Sequence, residues 1–413
     1  MKSKLILPLS LLLFLVFSCK PDMTICSSKS PLNSPREGDI LWQKNDLGEN
    51  LESGPAVDNR GNVYVIGNGI VYSYTADGTF RWSTKTSPGD GCTPSVSPDN
   101  AIVYTCGIEG VYALNASNGN QIWHSSVDKF HIVPCVSADG SRVYIASDDL
   151  GGSGTIYALN ASDGSTAWSY HPREEDGFMG GIALDTNGNL LVPGQNAYLY
   201  SLRDKGSTFS VNWTFHLGAE ARQPITVGDD GYIYATSNTG VVHKINAATG
   251  KEDTSGNWPA LGGIGEVFAS MAFSPDGDTL YVNAEDYKLH ALNPDGSEKW
   301  TFTFEMWGSD PLVRDDGRII VMGQIEGAAR VCCLSDNGSS AVLEWSSEPI
   351  CNTLRLNETN VNIGPDGTIF VHSGDQPPLG LFAIQGNGMG LSTKSPWPKY
   401  MGNIRNNGHK PHF

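Results

Sequence analysis

Asn160-Ala-Ser-Asp-Gly-Ser-Thr-Ala-Trp168 repeats, 45 residues on, the pattern of Asn115-Ala-Ser-Asn-Gly-Asn-Gln-Ile-Trp123. Each copy leaves a short apolar stretch, turns on an Asx-Gly pair and enters a second stretch at its tryptophan. Asx-Gly supplies the positive backbone angles that a tight hairpin demands. The tryptophan can be followed in both directions, to positions 42, 82, 123, 168, 213, 258, 300, 345 and 397. The gaps are 40, 41, 45, 45, 45, 42, 45 and 52, and only Trp307 falls outside the series. A period of about 40–45 residues with strand-like content marks the blades of a propeller.

Two strands align inside every period. The first runs from Val63-Tyr64-Val65 through Val143-Tyr144-Ile145 to Ile369-Phe370-Val371. The second runs from Tyr72-Ser73-Tyr74 through Tyr157-Ala158-Leu159 to Phe382-Ala383-Ile384. Nearly every position is apolar, as expected of sheets buried on both faces. Asx-Gly turns precede the first strand, as at Asp230-Gly231 and Asp366-Gly367, and follow the second, as at Asp77-Gly78 and Asp295-Gly296. The columns number eight. The expected fold is therefore all-β, an eight-bladed propeller of four-stranded antiparallel blades.

The two quoted motifs resemble the tryptophan-docking motif of quinoprotein dehydrogenases. That motif is shared by propellers of the pyrroloquinoline-quinone (PQQ) type, including the propeller lipoprotein of the outer-membrane barrel-assembly machinery. The resemblance covers about residues 38–386. It implies that Trp42, Trp82, Trp123, Trp168, Trp213, Trp258, Trp300 and Trp345 lie on outermost strands and pack on the neighbouring blade, with no ligand role. Gly38-Asp39-Ile40-Leu41-Trp42 has the look of an outer strand without a blade in front of it, and the last blade lacks one. The N-terminal strand is expected to complete that blade, closing the ring and removing an open edge. The tail, residues 387–413, resembles a segment found in such proteins and is expected to pack on the propeller.

The start of the chain reads as an export signal. Lys2 and Lys4 precede an apolar run from Leu5 to Phe17, shorter than the about 20 residues that span a bilayer. Val16-Phe17-Ser18-Cys19 resembles a bacterial lipobox, so residues 1–18 are expected to be a signal peptide, Cys19 the lipidated residue and 19–37 a polar tether. The expected location is the cell envelope at the outer membrane, with the lipid as the chain's only hold on it. The net charge of -17 argues against a nucleic-acid partner.

With Cys19 lipidated, Cys26, Cys92, Cys106, Cys135, Cys332, Cys333 and Cys351 remain. An odd count outside the cytoplasm leaves at least one unpaired, and the positions do not repeat with the blades. Cys332-Cys333 invites comparison with the vicinal pair of the quinone enzymes, but it stands within a regular strand, where neighbours point to opposite faces. Packed thiols are the expectation. Acid runs at Asp148-Asp149 and Glu174-Glu175-Asp176 lack calcium-loop spacing, and His131, His171 and His216 have no nucleophile beside them. No metal, PQQ or other cofactor, and no catalytic residue, is expected.

Function is sought in the loops. Those at one end of the blades are uniform Asx-Gly turns, whereas those at the other vary, as in Ser87 to Cys92, His171 to Gly181, Leu217 to Gln223, Phe304 to Asp310 and Gln376 to Gly380. Alternation puts all the variable loops on one face. Phe178, Met179, Arg222, Trp307 and Arg355 on that face are residue types that anchor interfaces. The expected role is a non-catalytic, monomeric scaffold holding a protein or an extracellular polymer. An outer-membrane protein assembly component and a PQQ-dependent dehydrogenase are the alternatives.

Overall fold

The computed structural model describes residues 34–410 except 46, 48–53, 88–91, 128–131, 148–153, 173–176, 179, 268, 307, 353–360 and 374–379. The described strands form eight four-stranded antiparallel sheets. Blade 1 shows the plan, with Ala56–Val57 innermost and Val63–Gly67, Ile70–Tyr74 and Phe80–Lys85 following outward. Its second strand is buried at every position, because a neighbouring blade covers each face. The inner strands of blades 2 to 8 are equally short: Ser95–Val96, Cys135–Val136, Ala183–Leu184, Thr226–Val227, Ala272–Phe273, Leu312–Val313 and Asn362–Ile363.

Blade 8 closes as the sequence predicts. Ile40–Lys44 pairs antiparallel with Leu381–Ile384, setting Trp42 opposite Ala383 and Lys44 opposite Leu381. Val57, Val63, Val65 and Tyr74 of blade 1 share one buried cluster with Phe370, Leu381 and Ala383 of blade 8. The ring thus has no gap at the seam.

The tryptophans bind the blades together. The indole N–H of each of five donates to a backbone carbonyl of the next blade: Trp42 to Ala76 at 2.8 Å, Trp82 to Ala116 at 3.1 Å, Trp123 to Ala161 at 2.8 Å, Trp213 to Ala247 at 2.9 Å and Trp258 to Pro294 at 3.0 Å. Trp300 donates to the Asp336 carboxylate at 2.9 Å. Trp168 and Trp345 are docked by packing, and their buried indole nitrogens have no hydrogen-bond partner. Trp168 lies 5.1 Å from the Phe209 ring of blade 4, and Trp345 covers Gly38. Trp258 departs from the expected place, since it lies just ahead of a two-residue outer strand, Ala260–Leu261.

This docking explains the turn glycines. At Gly119 φ is +75°, and an added Cβ would stand 2.5 Å from the Trp82 ring and 2.6 Å from Thr84 Oγ1. Gly206 has φ +90° but nothing within 4 Å of such a Cβ. Gly119→Ala should therefore cost about 3 kcal/mol, combining backbone strain with overpacking, against about 1 kcal/mol for Gly206→Ala. Urea denaturation of the two variants measures the difference. Equal losses would mean that the tryptophan contact adds nothing to the backbone requirement.

Beyond blade 8 the tail turns into the middle of the ring. Its carbonyls accept hydrogen bonds from inner-strand N–H groups: Trp397 from Phe273, Pro398 from Val313, Ile404 from Val57, Arg405 from Val96, Asn407 from Val136 and Gly408 from Leu184. Trp397, Met401 and Lys399 are buried there.

A disulfide joins Cys92 to Cys106, 14 residues apart. It lies outside the sequence expectation, because its partners occupy unlike places, a loop ahead of an inner strand and the end of a second strand. Cys135, Cys332, Cys333 and Cys351 are buried free thiols, while Cys19 and Cys26 lie outside the described residues.

Candidate functional site

Strand alternation gives the ring two unlike faces. On the turn face many aspartates are occupied by their own hairpins. Asp58 accepts from the N–H groups of Arg60 and Asn62 and from Tyr64 Oη at 2.8–2.9 Å. Neighbouring Ser or Thr hydroxyls, helped by backbone N–H groups, hold Asp77, Asp99, Asp139, Asp163, Asp253, Asp276 and Asp295 below the usual carboxylate range.

Cavities on this face lie between blades. One of about 460 Å³ between blades 6 and 7 is lined by Ser274, Asp276, Tyr281, Lys299, Asp336 and Lys394, among others. Within it Asp336 already accepts from Lys299 at 2.9 Å and Tyr281 at 3.2 Å. Tyr64 with Asp58 and Arg81, and Tyr234 with Asp230, repeat the theme elsewhere. In these three slots a tyrosine is bonded to an aspartate, with Lys299 beside the first pair and Arg81 beside the second. These are joints between blades, with their hydrogen-bonding groups already paired.

Of the residues expected on the variable-loop face, Phe178 and Arg222 lie among the described residues, and the first needs a correction. Phe178 is fully buried, its ring 6.0 Å from Tyr200 in an edge-on contact within the cluster between blades 3 and 4. This phenylalanine is therefore a core residue and offers nothing to a partner. Arg222 is partly exposed and bonds Glu220 at 3.0 Å. Asn238 Nδ2 also donates to Glu220, at 3.1 Å, and Glu285 accepts from the Glu266 N–H at 3.1 Å. Burial raises the Glu266 carboxyl above its ordinary range, Arg222 opposes this, and Glu285 and Glu220 reinforce it. Arg222 is thus a cation set among three glutamates. Met179, Trp307, Arg355 and Cys19 lie outside the described residues, as do His131 and both acid runs. His171 Nδ1 lies 2.8 Å from the Gly154 carbonyl, and His216 Nδ1 accepts from the Gly218 N–H at 3.1 Å, so both shape loops.

Two buried polar centres escaped the sequence reading. His290, 2% exposed, bridges Glu298 at 2.8 Å and Asp286 at 3.1 Å. It stands where the second strands of other blades carry tyrosine, as at Tyr72 and Tyr157. At the axis Asp310 accepts from the N–H and hydroxyl of Ser270. Lys399 Nζ donates to the carbonyls of Tyr400 and Asn403 and to Asn406 Oδ1, at 2.7, 3.3 and 2.6 Å. Burial pushes the Asp310 carboxyl up to about 6 and the Lys399 ammonium down to about 7, the Asp310 charge opposing the latter.

The described residues do not fit a quinone cofactor. Cys332 and Cys333 belong to different clusters on opposite faces of their sheet, so they present no vicinal disulfide. Burial pushes both thiols up to about 12, which keeps them protonated. The inner strands that would surround an axial ligand are bonded to the tail instead. Among the described residues no three His, Cys, Asp or Glu side chains are grouped to hold a metal ion.

Residues 32–130 and 107–192 match the family of the outer membrane protein assembly factor BamB. No curated protein matches the chain in sequence. Similar solved structures include BamB from Moraxella catarrhalis, 18% identical with a TM-score of 0.60 over 80% of this chain and 93% of that one. The C-terminal WD40 domain of Sif2 is 11% identical, with a TM-score of 0.63 over 86% of this chain and all of that one. The quinohemoprotein alcohol dehydrogenase ADHIIG from Pseudomonas putida HK5 is 12% identical, with a TM-score of 0.65 over 86% of this chain and 77% of that one. At such identities the solved structures speak for the fold alone. On sequence over residues 32–192 and on fold beyond them, this chain is a PQQ-like β-propeller similar to BamB.

Proposed function

We propose that this protein is a non-catalytic scaffold of the cell envelope that serves outer-membrane protein assembly, is anchored through lipid on Cys19, and holds a protein partner on its variable-loop face. The observation that carries the reading is the match of residues 32–192 to the BamB family. The choice of face is supported by the contrast between the two ends of the ring. Turn-face groups such as Asp58, Tyr64 and Asp336 are paired within their own hairpins and slots, whereas Arg222, bonded to Glu220, keeps part of its side chain exposed on the opposite face. Arginine and tryptophan centred in a loop surface are the residues whose truncation costs interfaces most.

One experiment tests anchor and face together. Crosslinked cells are fractionated, and the protein is recovered with whatever it holds. Wild type is expected in the membrane fraction and Cys19→Ala in the soluble one. The membrane-bound protein should carry barrel-assembly subunits, and Arg222→Ala combined with Trp307→Ala should reduce their recovery at least tenfold, equivalent to about 1.4 kcal/mol. Undiminished recovery from the double variant would move the site off this face. Recovery of polysaccharide in place of assembly subunits would make an extracellular polymer the occupant.

A further inference from the structure

We propose that residues 387–410 are an inner clasp, which holds the ring closed at its axis and can undock as a unit while the blades stay folded. The first support is register. The six inner-strand N–H groups bonded to tail carbonyls belong to the second residue of six equivalent two-residue strands, in blades 1, 2, 3, 4, 6 and 7. In blade 8 the equivalent N–H, that of Ile363, is taken by the Asn362 side chain, which in turn donates to the Ile404 carbonyl at 2.8 Å. Blade 5 is reached by an ion pair from Lys410 to Asp229 at 2.6 Å. One segment therefore touches every blade.

The second support is the seam. Ile404 accepts from Val57 of blade 1 and from Asn362 of blade 8 through a single carbonyl. Asn362 and Asn406 both donate to Pro55, at 2.8 and 3.1 Å. The ends of the ring are thus stapled on the inside, directly across from the outer closure by Ile40–Lys44.

The third support is that the segment is bonded chiefly to itself where it is not bonded to the wall. Lys399 gathers Tyr400, Asn403 and Asn406, and Asn403 Nδ2 reaches the His409 carbonyl at 2.6 Å. A segment knotted internally can leave as one piece once its outward bonds open, and these are most numerous at blade 7, where Gly390, Ser392 and Thr393 bond Asp315 and Val313. Local opening of such units lies below global unfolding.

Cys135 on the inner strand of blade 3 reports the opening, because Gly408 lies directly against its sulfur. The intact protein is treated with a maleimide in urea below its unfolding midpoint, and labelling is read peptide by peptide. Cys135 should react at least tenfold faster than Cys332 and Cys333, which are buried between blades 6, 7 and 8. Equal rates at all three would overturn undocking as a unit. A chain ending at Gly386 provides the second measurement. It should fold and unfold at clearly lower urea, as expected if the clasp holds the ring, whereas a chain that cannot fold without the tail would overturn undocking with the blades intact. An unchanged midpoint with Cys135 still protected would overturn the clasp altogether.

Discussion

Removal of residues 38–44 is expected to lower stability by about 5 kcal/mol and to make the protein aggregate. The deletion strips the outer strand from blade 8 and takes with it Trp42, whose ring lies 6.0 Å from Phe370 and 6.3 Å from Tyr74. Loss of a docked tryptophan alone falls in the range of 3–5 kcal/mol. The apolar edge Leu381-Phe382-Ala383-Ile384 would then face solvent with unpaired backbone groups, which is a template for association. A further cost comes from Arg314, whose fully buried guanidinium donates to Glu37 at 2.8 Å and to Asp316 at 2.6 Å. Without the strand, Glu37 has nothing to hold it there. Urea midpoints and size-exclusion profiles measure both effects. A monomeric deletion variant with a wild-type midpoint would show that blade 8 closes by other means.

Lys399→Met is expected to cost about 3 kcal/mol through its lost hydrogen bonds, with a signature in pH. The variant leaves Asp310 with Ser270 and no cation, and three tail acceptors lose their donor. A buried acceptor left without its donor costs about 1–3 kcal/mol. The sign follows from linkage. Burial places the Lys399 ammonium near 7 in the folded protein, below its unfolded value of about 10.4. Between those values the unfolded chain binds the extra proton, so wild-type stability should rise with pH above 7. Asp310 acts in the opposite sense on the acid side. Its folded value near 6 exceeds its unfolded one, so its contribution falls as pH rises from about 4 to 6. Urea midpoints from pH 7 to 9 should climb in wild type relative to Lys399→Met. Parallel curves would mean that the lysine carries no such penalty.

The architecture was legible because three independent periodicities coincide. Strand columns, Asx-Gly turns and tryptophans obey one register, and each reflects a local requirement that a sequence states directly. Closure was legible from an orphan strand and a blade lacking one. What sequence could not supply was contact between unlike positions. Cys92 and Cys106 meet because a loop crosses the end of a second strand, and no repeat position announces that meeting. Lys399 looks like a surface residue in a polar tail until the ring is built around it. Phe178 sits in a long variable loop, yet whether such a loop projects or folds back depends on Tyr200 in the following blade. A loop's membership of a face can be read from alternation, whereas the direction of one side chain within it cannot.

The seam at blade 8 also governs the order of events in time. Ile40 pairs with Ile384, so the outer closure links strands separated by nearly the whole chain. Loop-closure entropy for such a separation amounts to about 5 kcal/mol by the logarithmic rule. Neighbouring strands of a blade, by contrast, meet across hairpins of a few residues. Single blades can therefore pair early, whereas the first strand must wait for the last hairpin to be made. A chain whose N-terminus emerges first exposes Ile40–Lys44 long before its partner exists. Contact order of this kind makes the final joining the slow step of folding, and the interval before it is when the unpaired strand is most open to wrong partners.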